Sequence, residues 1–198
     1  MANKNAGGSN KTSPISLEQF TYILDELQDK KDYRMIVLVS LLFRCVRIGD
    51  ALRTIRIENI YLPTGSIRTE LNYKEEKTDK SRIIPLTGER FITALNFYYP
   101  QIKNKKTDAP LFYALHLVNK PLTDAGVKHI LHSFVGKRSI TQCSPHSLRK
   151  GGARTMHEKG VSISKICNVL NHHSQRTTEI YIGITSEDVA EAMEVLAI

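Results

Sequence analysis

Between residues 56 and 86 the chain stops repeating its apolar residues at helical spacing and turns to short, β-branched-rich segments. Three are expected as strands: Arg56 to Tyr61, Ser66 to Lys74 and Ser81 to Leu86. Pro63-Thr64-Gly65 and Thr78-Asp79-Lys80 supply the turns between them. On both sides the pattern is helical. Ser16 can cap a helix starting at Leu17, whose Phe20, Ile23, Leu24 and Leu27 make an apolar stripe. A more buried helix follows from about Tyr33 to Val46, and a third from near Ile48 to Thr54. Beyond the strands, helices are expected over Gly88 to Tyr99 (ended by Pro100), Thr123 to Phe134 and Pro145 to about Lys159. A short helix through Val169, another over Ser174 to Tyr181 and a final amphipathic one over 186–197 complete the chain. Strands grouped inside a helical chain exclude the strand–helix alternation of a parallel sheet. The expected class is α+β, mainly helical, with a small three-stranded antiparallel sheet.

Its 198 residues fit one domain, with no internal repeat or low-complexity linker to divide them. Residues 1–13 are polar and rich in Gly, Asn and Lys, and read as a flexible tail ahead of a domain over 14–198. The net charge of +8 favours a polyanionic partner, because Lys and Arg gain affinity by displacing the counterions condensed on nucleic acid. An acidic membrane surface would satisfy the same charge. The longest apolar run, Met35 to Phe43, is interrupted by Ser40 and is far shorter than the ~20 residues of a membrane span. Nothing at the N-terminus resembles an export signal. The cysteines Cys45, Cys143 and Cys167 are odd in number and widely spaced, as expected of reduced, buried thiols in a cytoplasmic protein.

Four places collect the residue types that phosphoryl transfer needs. They are Arg47 to Leu52 at a helix junction, Lys77 at a hairpin tip, His146-Ser147-Leu148-Arg149-Lys150, and Leu170-Asn171-His172-His173-Ser174 leading through Thr177-Thr178 to Tyr181. Each has an ordinary reading alone. Arg47 could be a surface ion pair, Lys77 a solvated lysine, His146 and Arg149 neighbours on an exposed helix face, and Tyr181 a partly buried tyrosine with its hydroxyl bonded. A metal site is the rival use for the seven histidines, but His129 and His132 lack a cysteine or acidic ligand at convincing spacing.

In this order the four places resemble the tyrosine recombinase (phage integrase) family. Cys45-Val46-Arg47-Ile48-Gly49-Asp50-Ala51 stands where that family has its first arginine box. Lys77 followed by Arg82-Ile83-Ile84-Pro85-Leu86 matches its hairpin lysine, and His146 to Lys150 its His-x-Leu-Arg box. Leu170 to Tyr181 matches its nucleophile box without a gap. The resemblance runs from about Ser16 to Ile198. Asn171 replaces the usual glycine, Gly49 a serine, and Lys150 stands where histidine is common; Lys74 and Lys80 compete with Lys77 for the lysine role.

The resemblance implies site-specific recombination of double-stranded DNA by transesterification, through a 3′-phosphotyrosyl intermediate and without metal or cofactor. It makes Tyr181 the nucleophile and Arg47 and Arg149 the phosphate clamp. Lys77 becomes the acid for the 5′-oxygen, His146 the aid to proton removal, and His172 a phosphate donor. Asp50 would brace Arg47 or its helix, and Lys150 would support the site. A tetramer on DNA and a monomer alone are implied, with Val189, Met193 and Leu196 of the last helix as the exchanged face; accessory proteins are not specified. The short N-terminal region suggests either a fragment or a stand-alone form like the fimbrial-switch invertases. The rival readings are a DNA-binding regulator that keeps the fold but does not cleave, and a type IB topoisomerase or telomere resolvase.

Overall fold

Ser16 opens the first helix through a reciprocal capping box with Gln19 in the computed structural model, which describes residues 12–114, 120–184 and 194. Helix α1, Leu17–Asp29, buries Phe20, Ile23, Leu24 and Leu27 on one side. Asp32 caps α2, Tyr33–Phe43, where every residue from Arg34 to Leu42 is buried. A helix apolar on all sides belongs at the centre of a helical layer.

The second helix stops short of the expected Val46. Cys45 takes a left-handed φ of 66°. The Cys45 and Val46 amides then donate to the Leu42 and Leu41 carbonyls. This is a Schellman cap, and it turns the chain sharply just before Arg47. A π-helical turn, Asp50–Thr54, follows, closed by the Ile55 amide on the Asp50 carbonyl. Such turns widen a helix locally and are frequent near functional sites.

The sheet has two strands, β1 (Glu70–Lys74) and β2 (Ser81–Pro85), paired antiparallel from Glu70 opposite Pro85 to Lys74 opposite Ser81. The expected third strand is instead a single helical turn, α3, Ile57–Ile60. The Asn59 side chain accepts from the Arg56 amide at 2.7 Å, and Ile57 and Ile60 are buried three residues apart. Only isolated bridges at Arg56 and Tyr61 remain of a strand there.

Helix α4, Glu89–Ile102, passes through Pro100 instead of ending before it. Burial of Tyr98 and Ile102 one turn apart holds the last turn in place despite the missing amide. Then come α5 (Asp124–His132), α6 (Pro145–Glu158), α7 (Ile163–Leu170) and α8 (Gln175–Ile182). Helix α2 packs against α1, α4 and α6, while α6 also carries α7 and α8. The expected helix over 186–197 lies outside the described residues except at Glu194, and the tail through residue 11 lies outside them too; Thr12 and Ser13 are bonded to the domain.

Two glycines set the depth of α6. A Cβ on Gly151 would lie 2.2 Å from the Ile15 carbonyl oxygen, and one on Gly152 would lie 1.7 Å from that of Phe43. Only glycine lets both backbones approach so closely. Around α6, α7 and α8 a second small core forms from Cys45, Ala153, Ile166, Leu170 and Ile182. Burial of Ile182 contributes roughly 1.5–3 kcal/mol and fixes α8 one residue beyond Tyr181. All three cysteines are buried free thiols. Among the described residues, no helix is long and apolar enough to cross a membrane.

Candidate active site

The caps that start α6 and α8 place the chemistry. Ser144 accepts from the Ser147 amide, so His146 stands in the first turn of α6 and Arg149 in the next. Ser174 accepts from the Thr177 amide, and α8 then carries Tyr181 near its end. With Arg47, Ile48, Pro145 and His172 these residues line one cleft of about 300 Å³. Five of the six residues expected in catalysis therefore converge. Lys77 does not line the cleft; it is exposed in the turn joining β1 to β2.

Tyr181 stands between two imidazoles. His146 and His172 meet its ring edge-on, with centroids 5.2 and 5.1 Å away. The Lys150 ammonium lies 5.6 Å from the centroid of the same ring and donates to the Thr12 carbonyl at 2.8 Å. The Tyr181 hydroxyl is shielded from solvent and makes no hydrogen bond of regular geometry to the described residues. Burial pushes its pKa up to about 12, although the Arg149 charge and an off-geometry contact of that guanidinium with the hydroxyl pull the other way. Both imidazoles are pushed below their usual range, chiefly by burial. Lys150 and Arg149 add to this at His146; at His172 Arg149, Arg47 and His173 do. Both histidines are consequently neutral at pH 7, and His172 Nδ1 is oriented by Thr178 Oγ1 at 3.1 Å.

Arg149 is nearly buried and serves the fold as well as the cleft. It donates to the Cys45 carbonyl and, at 3.1 Å, to the Leu170 carbonyl, joining the ends of α2 and α7. Cys45 answers with a thiol bond to the Arg149 carbonyl at 3.7 Å. Arg47 is half-buried and donates to Glu75 at 3.1 Å. Asp50 does not hold Arg47 by a hydrogen bond; its Oδ1 accepts from the Glu76 amide of the hairpin at 2.8 Å. Burial raises the Asp50 carboxyl, with the Glu76 bond opposing it.

Glu75 is the residue the sequence reading missed. Its side chain has no solvent exposure and it receives Arg47, Thr78, Arg82 and Asn171. Beside Glu76 and three lysines it looks like part of a solvated tip. The signal available was weak: an acidic residue two positions before the lysine. Asn171 caps α7 with φ 56°, a left-handed position open to asparagine as well as glycine. Among the described residues, no three His, Cys, Asp or Glu side chains converge as a metal set. A larger groove of about 590 Å³, bordered by Ile83, Met156 and Val169, is mainly apolar and holds none of these groups.

The sequence pattern of the phage integrase family matches residues 14–187. The tyrosine recombinase XerA of Pyrococcus furiosus is 31% identical over 187 residues, covering 93% of this chain and 62% of the relative. XerD of Staphylococcus haemolyticus is 25% identical, covering 89% of this chain and 60% of the relative. The chain thus spans about three fifths of the length of these relatives. Among solved structures, that of XerA recombinase aligns with a TM-score of 0.72 at 23% identity, covering 93% of this chain and 65% of that one. XerH bound to its difH substrate after cleavage aligns with a TM-score of 0.73 at 21% identity, covering all of this chain and 56% of that one. At these identities the structures establish the shared fold, mainly helical with a small antiparallel sheet.

Proposed function

Since the chain belongs to the phage integrase family, we propose that it cuts and rejoins double-stranded DNA at specific sites through a covalent link to Tyr181. The observation that carries this reading is the tyrosine hydroxyl set in one cleft with two guanidinium groups and two neutral imidazoles. Tyr181 Oη attacks the scissile phosphorus, and the bond to the 5′-oxygen breaks. A 3′-phosphotyrosine and a free 5′-hydroxyl result, and attack by a partner strand's 5′-hydroxyl reverses the step. Arg47 and Arg149 take up the charge that grows on the non-bridging oxygens.

A tyrosine held at a pKa of about 12 is not ionised beforehand, so its proton leaves during attack. His146 beside the ring accepts it, His172 donates to a phosphate oxygen, and Lys77 returns a proton to the 5′-oxygen. Asp50 and Lys150 support these groups through the hairpin and the Tyr181 ring. In this reading residues 14–198 form the catalytic domain behind a tail over 1–13. The protein is monomeric alone, tetrameric on DNA and cytoplasmic, and uses no metal or cofactor.

The test is trapping on nicked duplexes drawn from the DNA flanking the protein's own gene, followed by mass mapping of the linked peptide. A nucleotide on the Tyr181 peptide supports the reading. DNA binding without any adduct favours a silent regulator. The pH dependence gives a second check. Because the His146 pKa lies below the 6.5 usual for imidazole, adduct formation should be level above about pH 7 and fall only under that value. An acid limb centred above 6.5 would assign the base elsewhere.

A further inference from the structure

The hairpin that carries Lys77 is tied down on both sides of that residue. Before it, the Glu76 amide donates to Asp50 at 2.8 Å. After it, Thr78 Oγ1 donates to Glu75 Oε2 at 2.6 Å. Lys80 Nζ donates to Asn171 Oδ1 at 3.0 Å, and the Glu75 amide to the Lys80 carbonyl at 3.0 Å. The Lys77 side chain is left exposed between these tethers.

The same Glu75 Oε2 also accepts from Arg47 at 3.1 Å and from Asn171 Nδ2 at 2.8 Å. Arg82 takes the other oxygen at 3.3 Å. One buried oxygen thus joins the arginine of the cleft, the turn of the hairpin and the corner just before His172. Such an arrangement is a poor way to gain stability, since burying a carboxylate costs about what its ion pairs return. It is a good way to hold three separate pieces of chain in fixed relation.

We propose that Glu75 is a positioning residue that fixes the Lys77 turn against the phosphate-binding side of the cleft through Thr78. This rests on the reading of Lys77 as the acid for the leaving 5′-oxygen. Burial alone would raise the Glu75 carboxyl, but the Thr78 and Asn171 bonds and the Arg47 and Arg82 charges outweigh it, so the carboxylate stays ionised. A lysine on an untethered turn would search many positions for the leaving oxygen, whereas tying the turn at the Glu76 amide and the Thr78 hydroxyl confines that search.

The experiment compares wild type, Lys77→Ala, Glu75→Gln and Thr78→Val in single-turnover cleavage of two duplexes. One is ordinary DNA, and the other carries sulfur at the 5′-bridging position. A thiol, with a pKa of about 8.5, departs as an anion without needing a proton. Glu75→Gln and Thr78→Val should slow cleavage of ordinary DNA by about a hundredfold. Both should recover most of the wild-type rate on the sulfur duplex, as Lys77→Ala does. Thr78→Val leaves the carboxylate and its arginines in place, so it decides the matter even where Glu75→Gln fails to fold. Wild-type cleavage of ordinary DNA by Thr78→Val, or a defect that sulfur does not relieve, overturns the inference while leaving the assigned chemistry intact. An unrelieved Lys77→Ala variant, or a wild type that forms no adduct, overturns both.

Discussion

Tyr181→Phe is expected to abolish the covalent adduct completely while raising the melting temperature by a few degrees. The first effect follows from removal of the only atom assigned to attack phosphorus. The second follows from the surroundings of that atom. The hydroxyl is closed off from solvent without a regular hydrogen bond, and burying such a group costs about 1–3 kcal/mol. Phenylalanine keeps the ring between His146 and His172 and discards that cost. For a domain of this size each kcal/mol moves the midpoint by about 2–4 °C. Denaturing gels and a thermal melt read the two effects separately, with DNA affinity as the control for an intact surface. A surviving adduct would place the nucleophile elsewhere, and a lowered midpoint would mean that the hydroxyl is bonded in the free protein.

The next largest effect is expected of Arg149→Lys. The arginine uses two donors on the Cys45 and Leu170 carbonyls and has three left for the cleft. A lysine ammonium is a point source and cannot reach both carbonyls while also meeting a phosphate. Single-turnover cleavage should fall by about 10²–10³-fold, the usual loss when a transition-state charge donor is removed. Stability should fall by about 1–3 kcal/mol, because one carbonyl at the α2 or α7 end is left unpaired. Chemical denaturation measures the second quantity. A lysine variant that cleaves at the wild-type rate would remove the forked guanidinium from the mechanism.

The sequence made the cleft legible because its residues sit in four short boxes and because the starts of α1, α5, α6 and α8 are each marked by a capping Ser or Thr. What it concealed depended on tertiary context. Arg56 to Tyr61 has apolar residues that suit a strand, and only the Asn59 bond and burial of Ile57 with Ile60 make it a helical turn. Pro100 reads as a helix end until Ile102 is seen buried below it. Glu75 is legible only once folding has brought Arg47, Arg82 and Asn171 around it, residues as many as 96 positions away. Asn171 was visible as a departure from glycine. Its left-handed backbone and its reach to the hairpin were not.

The glycine pair of α6 restricts which parts can travel during a reaction. Backbone presses on that helix from two sides, Ile15 at Gly151 and Phe43 at Gly152, with no side-chain layer to yield between them. Sliding or rolling α6 would drive carbonyl oxygens into its own main chain, and packed interiors resist that strongly. His146 and Arg149 therefore belong to a stationary frame. What freedom remains lies in side chains hung on that frame, above all the exposed Lys77 on its tethered turn, so the acid is brought to a fixed anvil and not the anvil to the acid.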